Sequence, residues 1–236
     1  SNALANDITI YGVTVGRGAG AGASNTAVGA SALAANSTGV RLTAIGYNAG
    51  ALATSGSSVY VGAFAGYVTT SGNNITAVGD AALAVNTTGS FNTAIGSSAL
   101  QANTTASNNT ALGYQAAYSN TTGQVNTSLG SAALYTNSTG NGNTALGYSA
   151  LTLSTTASNN TAVGSYSLRS NTTGANNVAL GSAEYGVDYG ALGYNTTGNN
   201  NTAVGKQTLW ASTTASNNTA VGYQAGYSNT TGNLDA

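Results

Sequence analysis

"NNTAVGYQAGYSNTTG" (residues 217–232) is one copy of a phrase that returns twelve times in this chain with small edits. Each copy carries a glycine after Val, Ile or Leu, and these glycines set the frame: Gly29, Gly46, Gly62, Gly79, Gly96, Gly113, Gly130, Gly147, Gly164, Gly181, Gly205 and Gly222. Successive steps are 17, 16, seven of 17, one of 24 and a final 17 residues. A short fixed period of this kind predicts a solenoid, in which each coil buries its face only against its neighbours.

The unit reads N-T-A-[VIL]-G-x-x-A-L-x-x-N-T-T-G-x-N. Thr-Ala-Val alternates as a strand does, so Thr93 and Ile95 point one way and Ala94 the other. A second short segment follows, with Leu33, Leu83, Leu100, Leu134, Leu151, Leu168 and Leu209 in one place. "NTTG" then closes the coil. Gly89, Gly123, Gly140 and Gly174 suit a turn that needs positive φ, although Ala106, Ala157 and Ala215 take the same place in three coils. Recurrent Gly, Asn and Thr with no 3.6-residue period disfavour helix. The expected architecture is all-β, a parallel β-solenoid (β-roll) of about twelve 17-residue coils. At about 4.8 Å per coil the rod is on the order of 55–60 Å long.

Residues 1–3, "SNA", resemble a scar of tag removal, residues 4–24 form an N-terminal entry or cap, and 25–236 carry the repeats. The chain stops within a repeat, as a fragment of a longer protein would. Only 4% of the 236 residues are charged, with net charge −1, against about 25% in an ordinary domain. No basic stripe is available to follow phosphates or an anionic membrane surface, which argues against nucleic-acid and membrane partners. No apolar run reaches the roughly 18 residues of a membrane helix. His and Cys are absent, which removes the commonest metal ligands, bases and strong nucleophiles, so neither a cofactor nor an enzymatic role is expected.

Identical residues stacked coil on coil predict Asn ladders, Asn92 to Asn160 and Asn86 to Asn137, bonded amide to amide. The eight "NTT" or "NST" matches to the glycosylation acceptor pattern are better explained by turn geometry. With a thin core of strand Val, Ile or Leu, one further Leu and some Ala, the Ala stripe (Ala77, Ala94, Ala111, Ala145, Ala162, Ala203, Ala220) is expected to face outward and to pack against another copy.

"NTAVG" and "NTAIG" followed by "xxAL" and "NTTG" resemble the head repeats of trimeric autotransporter adhesins. They are more similar still to repeats of phage tail fibres, and "ITIYGVTVGRGAG" resembles the entry to such repeats in marine phage fibres. The resemblance covers residues 12–236 and implies a left-handed parallel β-roll, trimerised along its axis and serving attachment. Adhesin-head repeats are usually a few residues shorter than 17. On this resemblance the chain is expected to be a rigid homotrimeric segment of a virion tail fibre that displays or forms a host-receptor-binding region. Its partners would be itself and a host-surface glycan or protein. The alternatives are a bacterial surface adhesin head and, in another class, an ice-binding solenoid. Against the latter, Thr93 shares its face with Ile95.

The 24-residue step marks an insertion, "EYGVDYG" (184–190), after which Ala191 and Leu192 resume the frame. Glu184, Tyr185, Asp188 and Tyr189 are therefore candidate receptor contacts, since loops on rigid scaffolds concentrate recognition residues; a structural clasp is the competing reading. Two acids alone give little support to a glycosidase pair. Tyr114, Tyr148 and Tyr223 (with Tyr47) follow the frame glycine, and Trp210 takes a place that Tyr67, Tyr118, Tyr135 and Tyr227 fill elsewhere. These rings either stack on sugars or pack at an edge or interface. Arg169 and Lys206 read as solvated.

Overall fold

The computed structural model describes residues 8–10, 13–19, 24–183 and 189–232. Its strands form one sheet whose spatial order is the order of the chain. A hairpin, β1 (Ile8–Ile10) and β2 (Val13–Gly16), lies antiparallel on the first repeat strand, β3 (Thr26–Val28). From β3 to β14 (Thr219–Val221) twelve three-residue strands, one before each frame glycine, run parallel and in register. Thr93, Ala94 and Ile95 lie over Thr110, Ala111 and Leu112, for example. The chain is a parallel β-solenoid, as the period requires.

Its strands face the opposite way from the expected one. The central Ala of the strand is buried, with Ala94, Ala111, Ala145 and Ala162 at 0% exposure, while Thr and the aliphatic residue on either side are half-buried or exposed. The Ala stripe is core, not an outer packing surface. The coil is narrow, and the buried Leu column enters it from the next segment, leaving room on the strand side for a methyl group only.

One coil confirms this by exchanging sizes. Tyr60 replaces the strand Ala and is fully buried. The Leu place is Gly in its own coil (Gly66) and in the one before (Gly50). A Cβ on Gly50 would lie 2.6 Å from the Tyr60 ring, and one on Gly66 would also strike that ring. The Tyr60 hydroxyl has no hydrogen-bond partner. Burial raises its pKa above the ordinary value, an effect that the nearby Ser58 and Thr69 hydroxyls oppose.

Backbone conformation is also distributed differently. The NTTG glycines Gly89, Gly123, Gly140 and Gly174 do not have positive φ; they are small because a Cβ on Gly89 would come within 2.5 Å of Asn86 Oδ1. Ala106, Ala157 and Ala215 take the same place in three coils and are buried there. Positive φ belongs to the frame glycines, between 122° and 138° at eleven of the twelve. A Cβ on Gly29 would lie 2.6 Å from the Gly46 carbonyl oxygen, so both conformation and stacking demand glycine there. The core leucines are left-handed as well, for example Leu100 at φ 49°. That conformation costs about 1–2 kcal/mol, against about 1.5–3 kcal/mol for burying the side chain. Burial wins by a small margin.

Two buried Asn columns join the coils. Asn109 accepts nothing from solvent: its Oδ1 takes the Asn126 backbone N–H at 2.9 Å, and its Nδ2 donates to the Gly123 carbonyl at 2.9 Å. Asn92, Asn126, Asn143 and Asn160 repeat this pattern. In the other column Asn103 Nδ2 donates to Asn86 Oδ1 at 2.8 Å, Asn120 to Asn103 at 3.1 Å and Asn137 to Asn120 at 2.8 Å. The Asn of seven "NTT" and "NST" matches (Asn36, Asn86, Asn103, Asn120, Asn137, Asn171, Asn195) are fully enclosed, so these triplets serve the turn. Ser154 and Ser212 interrupt that column. Their hydroxyls, and the Asn137 and Asn195 Oδ1 atoms preceding them, are buried without partners.

An unsatisfied buried group costs about 1–3 kcal/mol. Ser154→Asn and Ser212→Asn should therefore each raise the melting temperature, by about 2–4 °C per kcal/mol recovered. Asn103 already fits this place before the same Thr-Thr-Ala-Ser-Asn-Asn continuation. Calorimetry that shows both variants melting below the parent would refute the broken-ladder account. Tyr60→Phe tests the exchange coil. A raised folded-state pKa gives stability that is complete below the unfolded value near 10 and is lost as pH rises through the folded value. The variant should melt no lower than the parent at pH 7 and lose less stability in an alkaline titration; parallel titration curves would contradict the burial of that phenol.

Candidate functional site

The insertion returns into the frame as expected. Ala183 N donates to Ser165 O at 2.9 Å, and Ala191 N donates to the Gly181 carbonyl at 3.0 Å. Ala191 and Leu192 are fully buried at the repeat's Ala and Leu places. Thr172 and Asn177 bond to Thr196 and Asn201, so the ladder continues across the 24-residue step. Glu184, Tyr185 and Asp188 lie outside the described residues. Tyr189 and Gly190 are described: Gly190 is buried, and its N–H donates to Tyr166 O at 3.0 Å.

Tyr189 lands on a seam of half-buried aromatic rings. Its ring stacks on Tyr194 with centroids 4.0 Å apart and planes 17° from parallel. Tyr194 meets Trp210 edge-on at 4.7 Å, and Trp210 stacks on Tyr227 at 4.8 Å and 3°. The spacing is close to one coil rise, which is why residues from successive coils meet ring to ring. Arg169 is not simply solvated. Its guanidinium lies 5.3 Å from the Tyr166 ring centre and 5.1 Å from that of Tyr189, contacts worth about 0.5–1 kcal/mol at an exposed site. The Trp210 Nε1–H is enclosed without a partner.

Of the candidates named from sequence, the structure therefore brings Tyr189 and Trp210 together. Tyr114, Tyr148 and Tyr223 stand in the column after the frame glycines, at 56%, 52% and 67% exposure, and of the three Tyr148 touches the seam, through Tyr166. Tyr114 and Tyr148 are two coils apart and Tyr223 four coils further on; Tyr148 leans edge-on against Tyr166 at 5.2 Å. Tyr194, Tyr166 and Arg169 were missed as members of the seam. For Tyr194 the signal was present, since it stands two residues beyond Leu192, one place from Trp210's column. The Arg169 contact depends on where the insertion returns, which periodicity does not determine.

The outer strand face is the other extended surface. Thr occupies its first column in ten of twelve strands, with Val59 and Val178 in the other two. The second column is aliphatic throughout. Ile45, Ile95, Leu112, Leu129, Leu146 and Leu180 are 36–42% exposed there, and Val221 is 68% exposed. Among the described residues no three His, Cys, Asp or Glu gather as a metal site, and no helix is long and apolar enough to cross a membrane. No protein-family profile, curated protein or solved structure matches this chain.

The seam predicts how the insertion behaves. Removing Glu184–Gly190 joins Ala183 to Ala191 and restores a 17-residue step. Circular dichroism and thermal melting should show an intact solenoid within about 1–2 kcal/mol of the parent, the loss of the Tyr189 contacts being set against the closure entropy of a seven-residue loop. A deletion variant that is unfolded at room temperature would mean that the insertion is part of the coil itself.

Proposed function

We propose that the chain is a structural and adhesive segment of a trimeric surface fibre, a rigid rod of the phage tail fibre type that displays or forms a receptor-binding region. The observation that carries this reading is the outer strand face. An unbroken aliphatic column runs the length of a 12-strand sheet. Over a rod on the order of 55 Å long it amounts to an apolar strip of several hundred Å², the size at which exposed patches mark interaction surfaces. Three parallel copies related by an axis along the rod would turn this strip inward and close the assembly without a free interface. Three is the number that the resemblance of the NTAVG repeats implies. In this reading the location is the virion surface, or, for the adhesin-head variant, the bacterial surface. The role is binding and support rather than catalysis.

A second reading has a specific observation behind it. Thr faces outward in ten of twelve strands, which gives an ice-binding solenoid its regular Thr column, although an aliphatic column shares the face. The two readings compete for one face.

Light scattering separates them. A trimer of the 22.9 kDa chain has a mass of 3 × 22.9, about 69 kDa. Leu112→Lys with Leu146→Lys would place six charges at the proposed axis, and desolvating unpaired charges is costly. The doubly substituted protein should be monomeric yet retain its β spectrum. A parent chain that is monomeric at micromolar concentration and shows thermal hysteresis would favour the ice-binding reading; a doubly substituted chain that still assembles would show that the interface lies elsewhere.

A further inference from the structure

Eleven of the twelve coils hold a left-handed residue five positions before the frame glycine, and from Asn159 onward that residue is Asn: Asn159, Asn176, Asn200 and Asn217. Asn tolerates this conformation because its short polar side chain bonds locally. Near the N-terminal end the same column holds Arg41 at φ 59°, Ser57 at 61°, Asn74 at 55° and Phe91 at 57°. Phe91 is 60% exposed, so it gains little burial in return for an unfavourable backbone. Val125, further along the column, is 62% exposed at φ 58°, so the strain by itself does not mark a site.

A second observation falls on the same residues. Arg41, Ser57, Asn74 and Phe91 line a depression of about 340 Å³, with Asn73 and Ser90 completing its polar wall. That volume lies in the range of small-ligand sites. The wall is built for hydrogen bonding and one end is a cation. Arg41 Nε donates to Ser57 Oγ at 3.0 Å, which orients the guanidinium along the column. At the other end, three coils or about 14 Å away, stands the Phe91 ring. The chain has four basic residues in all, so a cation at one end of this depression is not a matter of general surface charge.

We propose that this depression binds an anionic oligosaccharide lying along the rod, with an acidic group at Arg41, hydroxyls on the Ser and Asn side chains and a sugar face on Phe91. An extended ligand is required because the cation and the ring are three coils apart, and a saccharide supplies at regular spacing the hydroxyls that this wall can bond. The proposal deepens the adhesive reading above by naming the ligand class and a place on the rod distinct from the seam at the insertion.

The test uses the whole chain and a panel of oligosaccharides of three to four units: uronate-containing, sialylated, phosphorylated and neutral. Affinity would be read by calorimetric titration and melting temperature measured on the same samples. The wild-type chain should bind acidic members more tightly than neutral ones, and the panel separates carboxylate from phosphate as the source of the charge. Phe91→Asn should melt higher than the parent yet bind roughly tenfold more weakly, a combination that a structural role for Phe91 does not produce. Val125→Asn, a change in the same column outside the depression, should gain stability and leave binding unchanged. Arg41→Gln should abolish the preference for acidic ligands. No binding to any member of the panel, or equal binding by the parent and Phe91→Asn, would overturn the proposal. Scattering on the same samples reports the trimer independently, so loss of binding with trimeric mass retained would reject the saccharide site alone.

Discussion

The buried amide of Asn109 is satisfied by the coil beside it. Asn109 closes the Asn126 N–H and the Gly123 carbonyl together, and both partners lie at fixed offsets in the next repeat. A buried polar group left open costs more than a made hydrogen bond gains, so the amide penalises wrong registers more than it rewards the right one. Apolar packing alone would be a poor guide, since Ala on Ala is nearly the same after any slip. The Asn columns therefore specify the stack, and the hydrophobic column fills it.

Two local departures keep that register while changing its contents. Around Tyr60 one ring takes the space of two leucines and an alanine, and the glycines at 50 and 66 move with it. At the 24-residue step the sequence is seven residues longer than elsewhere, and the amide columns on either side remain joined. Both show the property expected of a solenoid, in which each coil answers only to its neighbours. They also show where variation is inexpensive. It is tolerated at column positions that face outward or that can exchange volume, and refused at the frame glycines, where a methyl group would strike the next carbonyl.

Much of this was legible in the sequence because the period reports the stack directly. The strand position, the glycine frame, the two Asn columns and the return of the insertion at Ala191 all follow from spacing. The inward side of a three-residue strand does not. Thr93, Ala94 and Ile95 alternate equally well either way, and hydrophobicity favours Ile inside; the width of the coil decides for Ala. Positive φ was expected at the turn glycines because glycine adopts it freely, whereas here the frame glycines and core leucines such as Leu100 hold it. Of the candidate contacts, Trp210 and Tyr189 met in one seam, while Arg169 could be placed only once the insertion's return was known.

The proposed trimer, the aromatic seam and the depression at Arg41 and Phe91 all depend on outward columns that keep their alignment from coil to coil. The claim beneath them is that buried amides hold that alignment. It is tested most directly by comparing equilibrium unfolding of Asn109→Ala with that of Asn159→Gly. Asn109 is enclosed and its loss leaves the buried Asn126 N–H open, the Gly123 carbonyl keeping its bond from Asn120 Nδ2, while Asn159 is exposed and makes one amide contact, with Asn176 at 3.3 Å. Asn109→Ala should lower stability by about 1–3 kcal/mol, and Asn159→Gly should stay within about 0.5 kcal/mol of the parent. Equal, small losses in both variants would contradict the account.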